Sequence, residues 1–256
     1  MGISPCCRKE KSKGKLFFNN GDYYIGEIID SKANGKGSLY YKNGTIKYIG
    51  DFVDGKKEGF GKYYFDDKNW FVMENGKKFY FIIGDYYTGQ WKNDSMNGKG
   101  TIYLKDGSIK YEGDFVNNKF TGYGKYYFEN GVYYLGQWLD DKQHGKGKIF
   151  DKNGNIVLEG DFVNDQLDGY GKIYLSNGNY FIGQFKQGIL QGKGKEYDKN
   201  GNFFFENEYF KDKKDNYYID GINDITNDKG PTHLNYGFPN NELNFFDGKM
   251  LNMETK

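Results

Sequence analysis

Gly2, Cys6 and Cys7 are the residues of this chain best placed for covalent chemistry. A glycine behind an initiator methionine exposes the α-amine that becomes a myristoyl amide. Thiols this close to such a glycine are positions where palmitate is added as a thioester. Cys6 stands where the usual acylation motif carries Ser or Thr, so the pattern rests on the glycine and the thiol pair together. Arg8, Lys9, Lys11, Lys13 and Lys15 follow with one acid, Glu10, a net +4 over residues 8–15. One myristoyl chain holds a bilayer only marginally, whereas a second acyl chain or a basic patch makes the hold stable. Residues 1–15 are therefore expected to be an acylated basic leader. An ordinary N-terminal segment is the alternative, and it does not explain why both cysteines of the protein fall at positions 6 and 7.

Other chemistries find little to work with. His144 and His233 are the only histidines, so no Cys/His dyad or zinc cluster forms at motif spacing. Arg8 is the only arginine, and arginine is the residue that reads phosphates and guanine bidentately. Net charge is +1, too small to steer the whole molecule to nucleic acid. No apolar run is long enough to span a bilayer as a helix. The expectation is a non-enzymatic protein with no cofactor and no metal.

The elements that must carry any binding surface are set by glycine. Gly-x-Gly recurs at Gly35, Gly59, Gly98, Gly122, Gly145, Gly169 and Gly192, at steps of 23–24 residues with one longer step. A fixed period in this range marks a repeat array whose units bury their apolar faces against one another. Each unit reads as a β-hairpin. Its first strand carries aromatic-x-Gly-x-aromatic, as in Tyr87, Gly89 and Trp91, or Tyr134, Gly136 and Trp138. A polar turn precedes Gly-x-Gly, and Asn-Gly or Asp-Gly closes the unit at Gly44, Gly107, Gly131, Gly154, Gly178 and Gly201. Asn-Gly is the strongest short hairpin signal, with positive φ expected at both residues. Strand alternation puts Tyr134, Gly136 and Trp138 on one face, where the glycines leave room for rings from neighbouring hairpins.

These residues resemble the MORN repeat (membrane occupation and recognition nexus), in seven units from residue 24 to about 203. Leu158 replaces the leading aromatic of the sixth unit, and Asn207 stands where an eighth unit would have glycine, as in a degenerate cap. The resemblance implies an all-β fold, an elongated single-sheet array of stacked antiparallel β-hairpins over residues 16–210. It also implies membrane association, scaffolding and dimerisation rather than catalysis by the repeats. Residues 211–256 are an aperiodic tail. An insertion at about 66–83 carries its own turn, Asn75-Gly76, between apolar runs, and reads as an overlong hairpin.

Two regularities mark the surface. The residue inside Gly-x-Gly alternates, Lys36, Phe60, Lys99, Tyr123, Lys146, Tyr170, Lys193, so the effective unit is a pair of hairpins. Four strands span ~19 Å, the expected spacing of the two patches. An aromatic also follows each second glycine by three residues, at Tyr40, Tyr64, Tyr103, Tyr127, Phe150, Tyr174 and Tyr197. Lys62, Lys125, Lys148, Lys172 and Lys195 neighbour these rings on the same face, with Asp51, Asp114 and Asp161 expected to share it. This strip is a candidate interaction surface, against the plainer reading that cross-strand pairs there only stabilise the sheet.

The function these features favour is a lipid-anchored scaffold or adaptor on the cytosolic face of a membrane, either the plasma membrane or an internal cortical one. Its partners would be membrane lipids through the acyl anchor and proteins through the strip, with a homodimer among the possible assemblies. Two rival readings are a module that binds acidic phospholipid headgroups directly and a targeting or regulatory subunit of a separate enzyme.

Overall fold

The computed structural model describes residues 11–66, 70–72, 78–80, 83–128 and 130–209. The chain divides into two compact units, Met1–Lys119 and Phe120–Lys256. The first holds β1 (Lys11–Phe17), β2 (Tyr23–Ile29), β3 (Lys32–Tyr40), β4 (Ile46–Val53) and β5 (Lys56–Tyr64). It continues with β6 (Trp70–Val72), β7 (Lys78–Tyr80), β8 (Tyr86–Lys92), β9 (Ser95–Tyr103) and β10 (Ile109–Val116). The second holds all but the first residue of β11 (Lys119–Tyr127), then β12 (Tyr133–Leu139), β13 (Lys142–Phe150), β14 (Ile156–Val163), β15 (Gln166–Tyr174), β16 (Tyr180–Lys186), β17 (Ile189–Tyr197) and β18 (Phe203–Tyr209). The fold is all-β. The sixteen strands of the main sheet run in chain order, antiparallel hairpin after hairpin.

Two boundaries differ from the sequence reading. The array reaches back at least to Lys11, because β1 pairs with β2 from Lys11↔Ile29 to Phe17↔Tyr23. Residues 11–15, assigned to the leader on charge, are a strand. The insertion is not an extension of a repeat hairpin. The strands β6 and β7 form a separate two-stranded sheet, and β5 pairs directly with β8 as though the insertion were absent. The tail 211–256 lies outside the described residues.

The turns divide their labour differently from expectation. At the Asn153-Gly154 closure only Gly154 is left-handed, at φ 85°. That loop is a five-residue return in which Asp151 N–H donates to Asn155 C=O at 2.9 Å and Gly154 N–H to Asp151 C=O at 3.0 Å. Paired positive φ occurs instead in the polar turns, at Asn93-Asp94, Asn117-Asn118, Asp140-Asp141 and Asn164-Asp165, none of which contains glycine. Asn and Asp tolerate this region better than other side chains. The fold also rewards them there. Asp165 N–H donates to Gln143 C=O at 3.0 Å, and Asp165 Oδ1 accepts from Gln143 N–H at 2.8 Å. The same two-way clasp joins Asp141 to Phe120 and Asn118 to Met96. Each tip is thus tied to the strand two places back. Asp165→Ala removes the acceptor and raises the cost of the left-handed turn, so we expect a loss of about 1–2 kcal/mol. Asp165→Asn should retain most of the stability. Urea denaturation of both variants checks this, and equal losses would show that the side-chain clasp contributes nothing.

The two glycines of Gly-x-Gly serve different needs, seen clearly in the β12–β13 hairpin. Gly145 has φ 61° beside a register shift between Gly136 and Trp138, and the following amide, Lys146 N–H, donates to Gln137 Oε1 at 2.8 Å. Gly147 instead faces Gly136 across the strands, and the ring of Tyr134 lies flat over both. That Tyr is fully buried and its hydroxyl donates to Gln137 C=O at 2.9 Å. The covering ring comes from the same hairpin, not from a neighbour as expected from sequence. Adjoining hairpins supply the rings that meet it edge-on, such as Phe162 at 5.3 Å and 82°. Repetition of this arrangement builds the core. In the first unit Tyr24, Tyr48, Tyr87 and Tyr111 are fully buried, separated by Phe52, Trp91 and Phe115 in T-shaped contacts. At Leu158 the covering ring is missing, and Leu167 and Phe185 close over Gly171 in its place.

Candidate functional site

With one face filled by rings and glycines, the other is available for contact. It is organised in rows that run across the strands. In the first unit one row joins Tyr23, Tyr40, Tyr64, Tyr86 and Tyr103, and in the second Tyr127, Tyr133, Phe150, Tyr174, Tyr180 and Tyr197. All are half-buried. The register explains the continuity, since Tyr23 faces Tyr40, Tyr86 faces Tyr103, Tyr133 faces Phe150 and Tyr180 faces Tyr197. Each of these four pairs is stacked, with centroids 4.6–5.1 Å apart and planes within 10–17° of parallel. The sequence reading named one ring of each pair and missed Tyr23, Tyr86, Tyr133 and Tyr180. The signal was the aromatic dipeptide. In Tyr86-Tyr87 or Tyr133-Tyr134 consecutive rings must point to opposite faces, so one joins the core and the other the open row.

The lysines of the strip fall into two kinds. Lys62 Nζ sits 3.7 Å from the ring centre of Tyr86, Lys125 Nζ 3.9 Å from that of Tyr133, and Lys172 Nζ 3.7 Å from that of Tyr180. Each is also within 4.5–4.7 Å of the ring two residues on in its own strand. Lys15 repeats the arrangement over Tyr23 at 3.7 Å, so a residue read as part of a membrane patch belongs to this series. Lys148 and Lys195 do not sit on rings. They pair with Glu159 at 2.6 Å and Glu206 at 3.3 Å. Burial alone would raise the Glu159 carboxyl, but hydrogen bonds from Lys148 and Tyr174 outweigh it and hold the group below the usual carboxylate range. Partial burial and its hydrogen bond to Glu159 at 2.8 Å push the half-buried Tyr174 hydroxyl up to about 12.

The expected aspartates do share this face, with different partners. Asp51, Asp114 and Asp161 pair with Lys36, Lys99 and Lys146, the lysines inside Gly-x-Gly, at 2.7–3.0 Å. In the alternate hairpins that inner residue is aromatic. Phe60, Tyr123 and Tyr170 are 60%, 53% and 68% exposed. The alternation of hairpins is therefore an alternation between a neutralised ion pair and an open ring.

Seven segments match the MORN repeat family, at residues 24–46, 48–70, 87–109, 111–133, 134–156, 159–180 and 181–203. The chain belongs to the MORN repeat family. MORN repeat-containing protein 3 of Xenopus laevis is 42% identical over 45 residues, a stretch that is 18% of this chain and 19% of that protein. Among solved structures, the wild-type TCP10 domain of Danio rerio CPAP aligns over 78% of this chain and 95% of that one, at 15% identity and a TM-score of 0.22. A protein of unknown function from Bacteroides caccae aligns over 73% and 57%, at 8% identity and a TM-score of 0.18. Likeness at that level carries no argument about this MORN array.

The leader residues divide. Gly2, Cys6, Cys7, Arg8 and Lys9 lie outside the described residues. Lys11 and Lys15 are held on β1 against the neighbouring strand, Lys11 by Glu27 at 2.7 Å and Lys15 by the ring of Tyr23. The hydrogen bond from Lys11 is the main reason the Glu27 carboxyl lies below its ordinary range.

Proposed function

We propose that this protein is a non-catalytic MORN-repeat scaffold, held at the cytosolic face of a membrane by acyl chains on Gly2, Cys6 and Cys7, and that the Tyr/Lys face carries its contacts to proteins. The supporting observation is the division of the sheet into two faces. On one, the leading tyrosines are buried and hydrogen-bonded, so the face is spent on cohesion. On the other, a row of half-buried rings repeats in every hairpin beside open Phe60, Tyr123 and Tyr170. Tyrosine suits a surface that is wet when free and dry when bound, because it is amphipathic and has few rotors to order.

Replacing Tyr103, Tyr127 and Tyr174 together with Thr tests the scaffold. Thr suits a strand, and none of these rings covers a glycine, so the circular-dichroism spectrum should persist. Proteins recovered with the full chain by proximity labelling should be depleted at least severalfold with the variant, while membrane fractionation stays unchanged. If the variant unfolds, the rings are structural. If it folds and keeps its neighbours, the contact surface lies elsewhere.

A further inference from the structure

Four lysines on the open face share one geometry. Lys15, Lys62, Lys125 and Lys172 each rest on the stacked ring of the next strand, at 3.7–3.9 Å. Among the described residues none of the four has an ion-pair partner. Most other lysines of this face do. Lys36, Lys99 and Lys146 have their aspartates, and Lys148 and Lys195 their glutamates. The difference is built into the register. Lys62 lies between Ile49 and Thr88, which offer no carboxylate, Lys125 lies opposite Leu135, and Lys172 lies between Ile182 and Glu159, whose carboxylate is taken by Lys148 at 2.6 Å and the Tyr174 hydroxyl at 2.8 Å. A ring under an ammonium holds it in place without neutralising it, so the charge stays available to a partner. Two residues before the lysine on the same strand and face stands Phe60, Tyr123 or Tyr170, more than half exposed.

We infer that these lysines are carboxylate-binding positions for an acidic protein segment, and that at Lys62, Lys125 and Lys172 the adjoining exposed ring takes an apolar side chain of the same segment. This rests on the Tyr/Lys face being the contact surface. In each unit the two lysines are four strands apart, β1 and β5 in the first and β11 and β15 in the second, which is ~19 Å. An extended chain covers that distance in about six residues. The segment therefore carries carboxylates in groups recurring at about that interval, with apolar residues between.

The charge arrangement favours a protein over a bilayer. An anionic membrane is a uniform sheet of negative charge. On this face the open lysines are interleaved with carboxylates of both ion-pair series, Asp161 and Glu159 among them, which such a sheet would meet as well. A polypeptide places its charges one by one and avoids them.

The test uses the full chain and two triple variants that change the same number of charges on the same face. One is Lys62→Gln, Lys125→Gln and Lys172→Gln. The other is Lys36→Gln, Lys99→Gln and Lys146→Gln, which removes lysines that already have aspartates. The probe is a fluorescent 20-residue peptide with Glu-Phe-Glu groups six residues apart in a Ser/Thr background, followed by anisotropy. Vesicles of phosphatidylcholine with phosphatidylserine are measured alongside. The first triple should bind the peptide roughly tenfold or more weakly, a loss that shrinks at high salt, and the second should bind as the native chain does. Equal weakening of both triples would mean unspecific charge attraction and overturn the inference. So would vesicle binding that depends on the first triple while peptide binding does not. If the tyrosine variant loses its partners but the first lysine triple keeps full peptide affinity, the scaffold reading stands and the carboxylate sites do not.

Discussion

Gly147→Val is expected to destabilise the second unit by about 3 kcal/mol, the upper end of what overpacking costs. The reason lies in what a side chain at that position would meet. Its Cβ would fall inside the ring of Tyr134, which is fully buried, donates its hydroxyl to Gln137 and meets Trp138 and Phe162 edge-on. The ring cannot swing aside without breaking its hydrogen bond and uncovering both neighbours. Nor can the strands separate easily, since Gly147 faces Gly136 directly. Gly107 provides the contrast. A Cβ there meets nothing within 4 Å, and only its φ of 86° resists substitution. Gly107→Ala should therefore cost about 1–2 kcal/mol through backbone strain alone. A double variant isolates the cause. Tyr134→Leu imitates the natural hairpin that begins at Leu158, and combined with Gly147→Ala it should lose less than the sum of the single changes. Chemical denaturation reads all of these. Strict additivity, or an unchanged midpoint for Gly147→Val, would remove the ring-over-glycine account. Because each hairpin is held by its neighbours, protection from hydrogen exchange should fall beyond β12 and β13 as well.

The repeat, the hairpins and the identity of the packed face were legible in the sequence because they rest on period and alternation, which survive without any knowledge of neighbours. What was not legible depended on register. Asp51 is three residues from neither Lys36 nor any other obvious partner along the chain, yet it lies directly opposite Lys36 across β3 and β4. Tyr86 carried no reading from sequence, and only the pairing places it against Tyr64 and Tyr103. The leader was drawn too long for a related reason. Charge is visible in sequence, but β1 becomes a strand only because β2 offers it an edge, so Lys11, Lys13 and Lys15 read as a basic patch. The turns were misjudged on glycine. Asn-Gly carries the familiar hairpin signal, whereas Asp140-Asp141 and Asn164-Asp165 hold two left-handed residues each without it, stabilised by clasps to a strand far away in sequence.

Gly2→Ala is expected to move the protein from the membrane fraction to the soluble fraction almost completely. Alanine keeps an α-amine but is not the glycine that N-myristoylation requires, so on the proposed anchor the variant would carry no myristate and would not dwell at the bilayer long enough for Cys6 and Cys7 to be palmitoylated. The strand β1 sharpens this expectation. Lys11 is committed to Glu27, so one cation fewer is left to hold anionic lipid than the sequence suggested. On the proposed anchor the acyl chains then supply most of the affinity. Cys6→Ser with Cys7→Ser should accordingly leave weak, exchangeable binding that washes off at raised salt, since a single myristoyl chain gives an association constant of only about 10⁴ M⁻¹. Lys11→Gln should weaken membrane binding little, because its charge already serves the sheet, while Arg8→Gln with Lys9→Gln should weaken it more. Fractionation of these variants in cells, with metabolic labelling by fatty-acid analogues, measures both the modification and its consequence. If Gly2→Ala remains membrane-bound, the anchor is not the leader. If Lys11→Gln alone releases the protein, the basic patch outweighs the ion pair, and β1 belongs to the membrane contact after all.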